Sequence, residues 1–250
     1  MVAAGGCPTS GGRRARCGVM RVLVSVRNVV EARLVAAAGV DFIDLKEPSR
    51  GALGDLGPVA IRGIVDAMST SGAHLSATIG DVPVEAGGLI LERVAAVAGC
   101  GVDLVKVGLP GRGGAAAMRL LDRLQASGHP LVPVLLADRG LAPEFVDAVV
   151  ARRFAGVMAD TVRKAGGSLL DLCPPAELAH LVATARRAGL LVGVAGALRR
   201  DELPRLQALA PDFAGFRSAV CRGGRSTALD PARLSALIRA LRTPTPGVTA

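Results

Sequence analysis

The chain has 250 residues, half of them apolar, with five Phe and no Trp or Tyr, enough for one α/β barrel or two small domains with a sizeable core. So few aromatics argue against the stacking platforms that hold single-stranded nucleic acid, and point to Val, Leu, Ile and Ala packing on both faces of parallel strands. The net charge of +9 is spread over helical segments and the amino terminus, a preference for arginine rather than a nucleic-acid surface, with attraction of anionic metabolites as a secondary consequence.

Residues 1–19 are Gly- and Arg-rich without the apolar run of a signal peptide, and read as a disordered extension, with Met20 as an alternative translation start. From there short β-branched runs alternate with longer Ala/Leu/Arg stretches at helical spacing, the pattern of repeated βα units. Strands are predicted at 21–26, 40–46, 74–79, 103–107, 131–137, 154–159, 190–195 and 212–217. Helices are predicted near 28–38, 58–70, 88–99, 115–127, 142–151, 175–188, 201–209 and 230–241. Pro58 suits a first helical turn, and Asp201 and Asp230 suit helix caps. Residues 243–250 read as a flexible tail.

Eight such units predict a single (β/α)8 TIM barrel over residues 20–242. An open doubly wound sheet is the alternative, but Ser25-Val26-Arg27-Asn28 stands where its Gly-rich fingerprint would follow the first strand. No apolar stretch reaches membrane-spanning length without charge or glycine. The five cysteines show neither a CxxC pair nor metal-ligand spacing, which predicts a reducing cytoplasm and no metal site.

Only three of the 30 Lys and Arg residues are lysine: Lys46, Lys106 and Lys164, each where a strand ends. Arginine can replace lysine on a wet surface, but it stays protonated and cannot form an imine. Asp44 and Lys46, two apart on the second strand, share a face that can be the barrel lumen. With Lys106 at the end of the fourth strand, Asp160 at the end of the sixth and Lys164 four residues further into the loop, five charged groups converge on one mouth. Burial and neighbouring cations there would depress a lysine pKa and free the nucleophilic amine, while the carboxylates orient amines and move protons. Any one lysine beside an aspartate also reads as an ion pair closing a barrel layer; three together favour catalysis.

A second constellation suits phosphate. Gly196 follows the seventh strand, and Arg217-Ser218 closes the eighth ahead of Cys221-Arg222-Gly223-Gly224-Arg225, the loops in which barrels often hold phosphate. Ser76 and Thr78, on the third strand, offer hydroxyls to a substrate, although the Gly80-Asp81-Val82-Pro83 turn beyond them needs no functional reason. Pro110-Gly111-Arg112-Gly113-Gly114 reads as a flexible loop over the mouth, with Arg112 as a further phosphate contact. His74, at a strand start, reads as structural, and Cys221 as a small core residue.

Ile43-Asp44-Leu45-Lys46-Glu47-Pro48, Gly51-Ala52-Leu53-Gly54 and Ser76-Ala77-Thr78-Ile79-Gly80-Asp81-Val82-Pro83 closely resemble the (5-formylfuran-3-yl)methyl phosphate synthase family. Val105-Lys106-Val107-Gly108-Leu109, Met158-Ala159-Asp160-Thr161 with Lys164, Ala195-Gly196-Ala197-Leu198 and Arg217-Ser218-Ala219-Val220-Cys221 continue the match in order, a run more specific than any single motif. The resemblance implies that two molecules of glyceraldehyde 3-phosphate condense, with loss of phosphate and water, to the furan aldehyde phosphate that precedes methanofuran. It implies Lys46 as the Schiff-base lysine, Lys106 as the proton acceptor, and Asp44, Asp160 and Lys164 as further catalytic residues. The enzyme would be a carbon–oxygen lyase with aldolase-like imine chemistry and no cofactor, acting on a phosphorylated triose; a homo-oligomer is compatible with the sequence. Two rivals remain: a phosphate-binding barrel isomerase or decarboxylase working without an imine and, more distantly, a basic nucleic-acid-binding protein.

Overall fold

All eight predicted strands form, and each pairs in parallel with the next until the last closes on the first. The computed structural model describes residues 20–162 and 166–242. The expected extension over 1–19, the tail over 243–250 and Lys164 lie outside the described residues. The strands are β1 (Arg21–Val26), β2 (Phe42–Leu45), β3 (His74–Thr78), β4 (Leu104–Pro110), β5 (Leu131–Leu136), β6 (Gly156–Asp160), β7 (Leu191–Val194) and β8 (Phe213–Phe216). The result is a (β/α)8 barrel, and the open-sheet alternative falls with its closure.

The helices are α1 (Val29–Ala37), α2 (Pro58–Met68), α3 (Gly87–Ala98), α4 (Ala115–Ala126), α5 (Pro143–Ala151), α6 (Leu169–Leu172), α7 (Pro175–Arg187), α8 (Leu203–Leu209) and α9 (Pro231–Arg242). Pro58 starts α2, and the Asp230 carboxylate accepts from the amides of Ala232 and Arg233, capping α9 as expected. Asp201 caps nothing: it sits inside a 3-10 turn, and Glu202 takes the amide of Arg199 instead. No helix among the described residues is long and apolar enough to cross a membrane.

Strand alternation sorts the apolar residues into two populations. Val22, Val24, Ile43, Leu45, Val105 and Val157 point outward against the helices. Leu23, Phe42, Val132, Val134, Met158 and Phe213 fill the lumen. A ring as large as Phe213 fits because the inward position opposite is Gly193, where an added Cβ would lie 2.0 Å from the ring. Such large-against-small pairing is how a small barrel reaches interior packing density.

Strand four is longer than the sequence suggests. Its pairing with β5 runs on to Pro110, so Lys106 lies within the strand rather than at its end. The missing side chain of Gly108 makes room for Leu53, whose Cδ1 would stand 2.6 Å from a Cβ there. The following loop is also no free flap. Gly111 packs under the carbonyls of Leu136 and Gly140, Gly113 lies against the ring of Phe145, and Arg112 is exposed.

Candidate active site

One step toward the carboxyl ends of the strands from the apolar layer of the lumen, the inward side chains become polar. Ser25 follows Leu23, Asp44 follows Phe42, Lys106 follows Leu104, and Asp160 follows Met158. Register aligns Ser25, Asp44 and Ser76 across β1, β2 and β3, with Thr78 opposite Lys106.

Asp44 is the hub. Its carboxylate accepts from Ser76 Oγ (2.8 Å), Lys106 Nζ (2.8 Å) and Ser25 Oγ (3.2 Å), while Lys46 Nζ lies 3.7 Å away. Lys46 is also 3.9 Å from Asp160, whose other oxygen accepts from the amide of Thr161. Burial pushes the Asp44 carboxyl up, but the charges of Lys106 and Lys46 and the hydrogen bonds from Lys106 and Ser76 outweigh it, so Asp44 stays below the ordinary carboxylate range. Burial pushes the Lys106 amine down; Asp44 opposes this, Lys46 adds to it, and the net direction is below an ordinary lysine.

The two lysines are thereby unlike. Lys106 is 3% exposed and hydrogen-bonded, whereas Lys46 is 9% exposed and has looser ion pairs. Both line one cavity at the barrel mouth together with Asp44, Asp160, Gly196 and Ser218. The lid on the inner wall is the segment after Lys46. Ala52 and Leu53 are buried in the lumen cluster, the Asp81 carboxylate holds the amide of Leu53, and the amide of Glu47 donates to the carbonyl of Gly54. A side chain at Gly54 would meet that backbone at 2.1 Å, which accounts for the glycine.

Three residues expected to bind substrate are engaged elsewhere. The hydroxyl of Ser76 donates to Asp44 and that of Thr78 to the carbonyl of Gly54, and neither residue lines the cavity. Arg217 does line it, yet all five of its N–H groups are spent inside the protein. Nε donates to Arg225 O (2.9 Å), Nη1 to Ser25 O (2.9 Å) and Glu31 Oε2 (2.6 Å), and Nη2 to Glu31 Oε1 (3.1 Å) and Thr227 O (2.8 Å). It is a strut between the barrel seam and the loop after β8. Ser25 and Glu31 are the residues that the sequence reading missed: a serine in a strand and a glutamate in a first helical turn carry no distinguishing local signal.

Glu31→Ala would leave the Arg217 charge buried without its partner, and a loss of about 3–5 kcal/mol in folding stability is expected by urea denaturation. The sign with pH is fixed. Burial raises the Glu31 pKa, but Arg217 outweighs it and holds the group below the unfolded value of 4.5. The stabilisation is therefore present above that value and lost as pH falls through the folded one.

The profile of the 4-HFC-P synthase family matches residues 22–238. The chain belongs to the 4-HFC-P synthase family. The (5-formylfuran-3-yl)methyl phosphate synthase of Archaeoglobus fulgidus is 35% identical over 220 residues, covering 83% of this chain and 93% of that protein. That of Methanopyrus kandleri is 36% identical over 216 residues, covering 82% and 90%. A Methylorubrum extorquens protein bearing the same name provisionally is 39% identical over 223 residues, covering 89% and 92%. The matched span of this synthase-family enzyme takes in Asp44, Lys46, Lys106 and Asp160. Among solved structures, phosphoribosyl anthranilate isomerase from Thermus thermophilus superposes with a TM-score of 0.62 at 20% identity, covering 89% of this chain and 98% of that one. That likeness speaks to the barrel alone.

Proposed function

We propose that the protein condenses two molecules of glyceraldehyde 3-phosphate to (5-formylfuran-3-yl)methyl phosphate through an imine at Lys46, releasing phosphate and water. The observation that carries this reading is the pairing of two unlike lysines around one carboxylate. Lys46 has the more open amine and lines the cavity, as a nucleophile toward an aldehyde must. Lys106 is buried, bonded to Asp44 and lowered in pKa, as an internal base must be to exchange protons near neutrality.

In the first step the Lys46 amine adds to the aldehyde carbon, and water leaves as the imine forms. The protonated imine makes the neighbouring C–H acidic. Lys106 in its neutral form takes that proton, and the enamine carbon attacks the second aldehyde. Asp160, on the far side of Lys46, holds the amine and passes protons during addition and dehydration; Lys164 joins it as a proposed catalytic group. Phosphate elimination, ring closure and loss of water to the aromatic furan then draw the sequence forward, and cleavage of the C–N bond to Lys46 releases the product and returns the free amine. The reaction needs a phosphorylated triose and no nucleic acid; we assign the enzyme to the lyase class and place it in the cytoplasm.

The test is incubation with glyceraldehyde 3-phosphate and borohydride, followed by intact-mass spectrometry and peptide mapping. An adduct on the Lys46 peptide is expected; its absence, with substrate shown to bind, would return the site to acid–base chemistry without an imine. Turnover is also expected to rise with pH along a limb below the ordinary lysine value of 10.5, because Lys106 must lose its proton to act as a base. Steady-state rates measured from about pH 5 to about pH 10 would locate that limb.

A further inference from the structure

We infer that Arg225, rather than Arg217, is the cation that receives a substrate phosphate at the barrel mouth, an inference that rests on reading the cavity as a site for a phosphorylated aldehyde. The loop after β8 is held at several points. Cys221 and Leu229 form an isolated bridge, Arg217 donates to the carbonyls of Arg225 and Thr227, and Arg27 donates to that of Ser226. The backbone at Arg225 is therefore fixed on both sides.

Its side chain reaches across the mouth to the loop after β2. There Nη2 alone donates, to the carbonyls of Pro48 and Gly51. Among the described residues Nε and Nη1 have no acceptor, so three N–H donors remain uncommitted there on a guanidinium that lines the same cavity as Lys46, Lys106 and Asp160. The carboxylates of Asp160 and Asp81 act on Arg225 through space without a hydrogen bond.

This is the reverse of Arg217, whose donors are all taken. A guanidinium docked along one edge, with its remaining donors open, presents the fork that binds phosphate oxygens in pairs. Gly196, Ala197 and Ser218 line the same cavity at the ends of β7 and β8, where barrels offer backbone N–H groups to phosphate. Arg225 is half-buried, so such a bond would be less screened than on the open surface. Because Nη2 holds the Pro48–Gly51 turn, a phosphate drawn to Arg225 would also steady the segment that follows Lys46.

The experiment uses the full chain, with Arg225→Gln and Arg225→Lys beside the wild type. It compares the rates of borohydride trapping for glyceraldehyde 3-phosphate and for glyceraldehyde, and measures binding of inorganic phosphate by calorimetry. In Arg225→Gln the ratio of the two trapping rates is expected to fall about 10–100-fold, the loss typical of a charge-assisted pair, with phosphate affinity falling in step. Arg225→Lys should recover part of both, since it restores the charge but not the fork.

A purely structural role would slow both aldehydes alike. An unchanged ratio, or wild-type phosphate affinity in Arg225→Gln, overturns the inference. If the wild type traps neither aldehyde, the imine reading fails by itself and the phosphate measurement still decides Arg225. If Arg225→Gln does not fold, as read by circular dichroism, Arg225→Lys carries the comparison: reduced phosphate discrimination supports the inference, and full discrimination with wild-type phosphate affinity overturns it.

Discussion

Lys46→Arg is expected to leave the barrel folded while turnover falls by about a thousandfold or more and the borohydride adduct disappears. The argument separates charge from nucleophilicity. An arginine at this position keeps a cation beside Asp44 and Asp160, which stand 3.7 and 3.9 Å from the native amine, so the ionic layer at the mouth persists. What is lost is the capacity to shed a proton and add to a carbonyl, since guanidinium stays charged at any workable pH. Thermal unfolding close to that of the wild type, with no adduct by mass spectrometry, is the expected pair of observations. Substantial turnover in a folded Lys46→Arg protein would remove Lys46 from the mechanism.

Asp44→Asn is expected to give the second largest effect, and of a different kind. The carboxylate accepts from two serines and from Lys106 and lies near Lys46, so all its neighbours are donors. An amide offers one acceptor oxygen and turns a donating NH2 toward the others, which leaves a buried donor facing donors. It also removes the charge that opposes the burial of Lys106. With that opposition gone, the amine of Lys106 is expected to fall further below the ordinary lysine range, and the acid limb of the rate profile should move down with it. Turnover should drop about 10²–10⁴-fold, the range for losing positioned acid–base catalysis. Adduct formation should be slowed rather than abolished, because Lys46 remains. An Asp44→Asn enzyme with a wild-type acid limb would show that Asp44 does not govern Lys106.

The contrast between Arg217 and Arg225 shows where sequence reading stops. Both lie in the arginine-containing segment after β8, and both suit an anion by residue type. Arg217 is spent on Glu31 and the Ser25 carbonyl, more than 180 residues earlier, and no local pattern announces a pairing across the closure of the barrel. The hydroxyls of Ser76 and Thr78 are likewise committed as donors within the protein. Their hydroxyls face acceptors on β2 and its following loop, contacts set by strand register rather than by composition. Helix α6 was missed because four residues are too few to show a periodicity, even with the cap that Ser168 and Asp171 provide.

The amino-acid sequence by itself determined the barrel, through eight alternating runs whose apolar residues follow two periods. It also determined the catalytic candidates Asp44, Lys46, Lys106 and Asp160, through the scarcity of lysine and the positions of these groups late in the strands. Those features are local, and short-range sterics and side-chain chemistry suffice to read them. Only the tertiary structure decided which lysine is the more deeply buried, that Asp44 is shared between them, and which arginine keeps donors for a ligand. Each of those outcomes depends on groups brought together from separate strands and loops, and hydrogen-bond donors go to whatever acceptors the closed barrel places within reach.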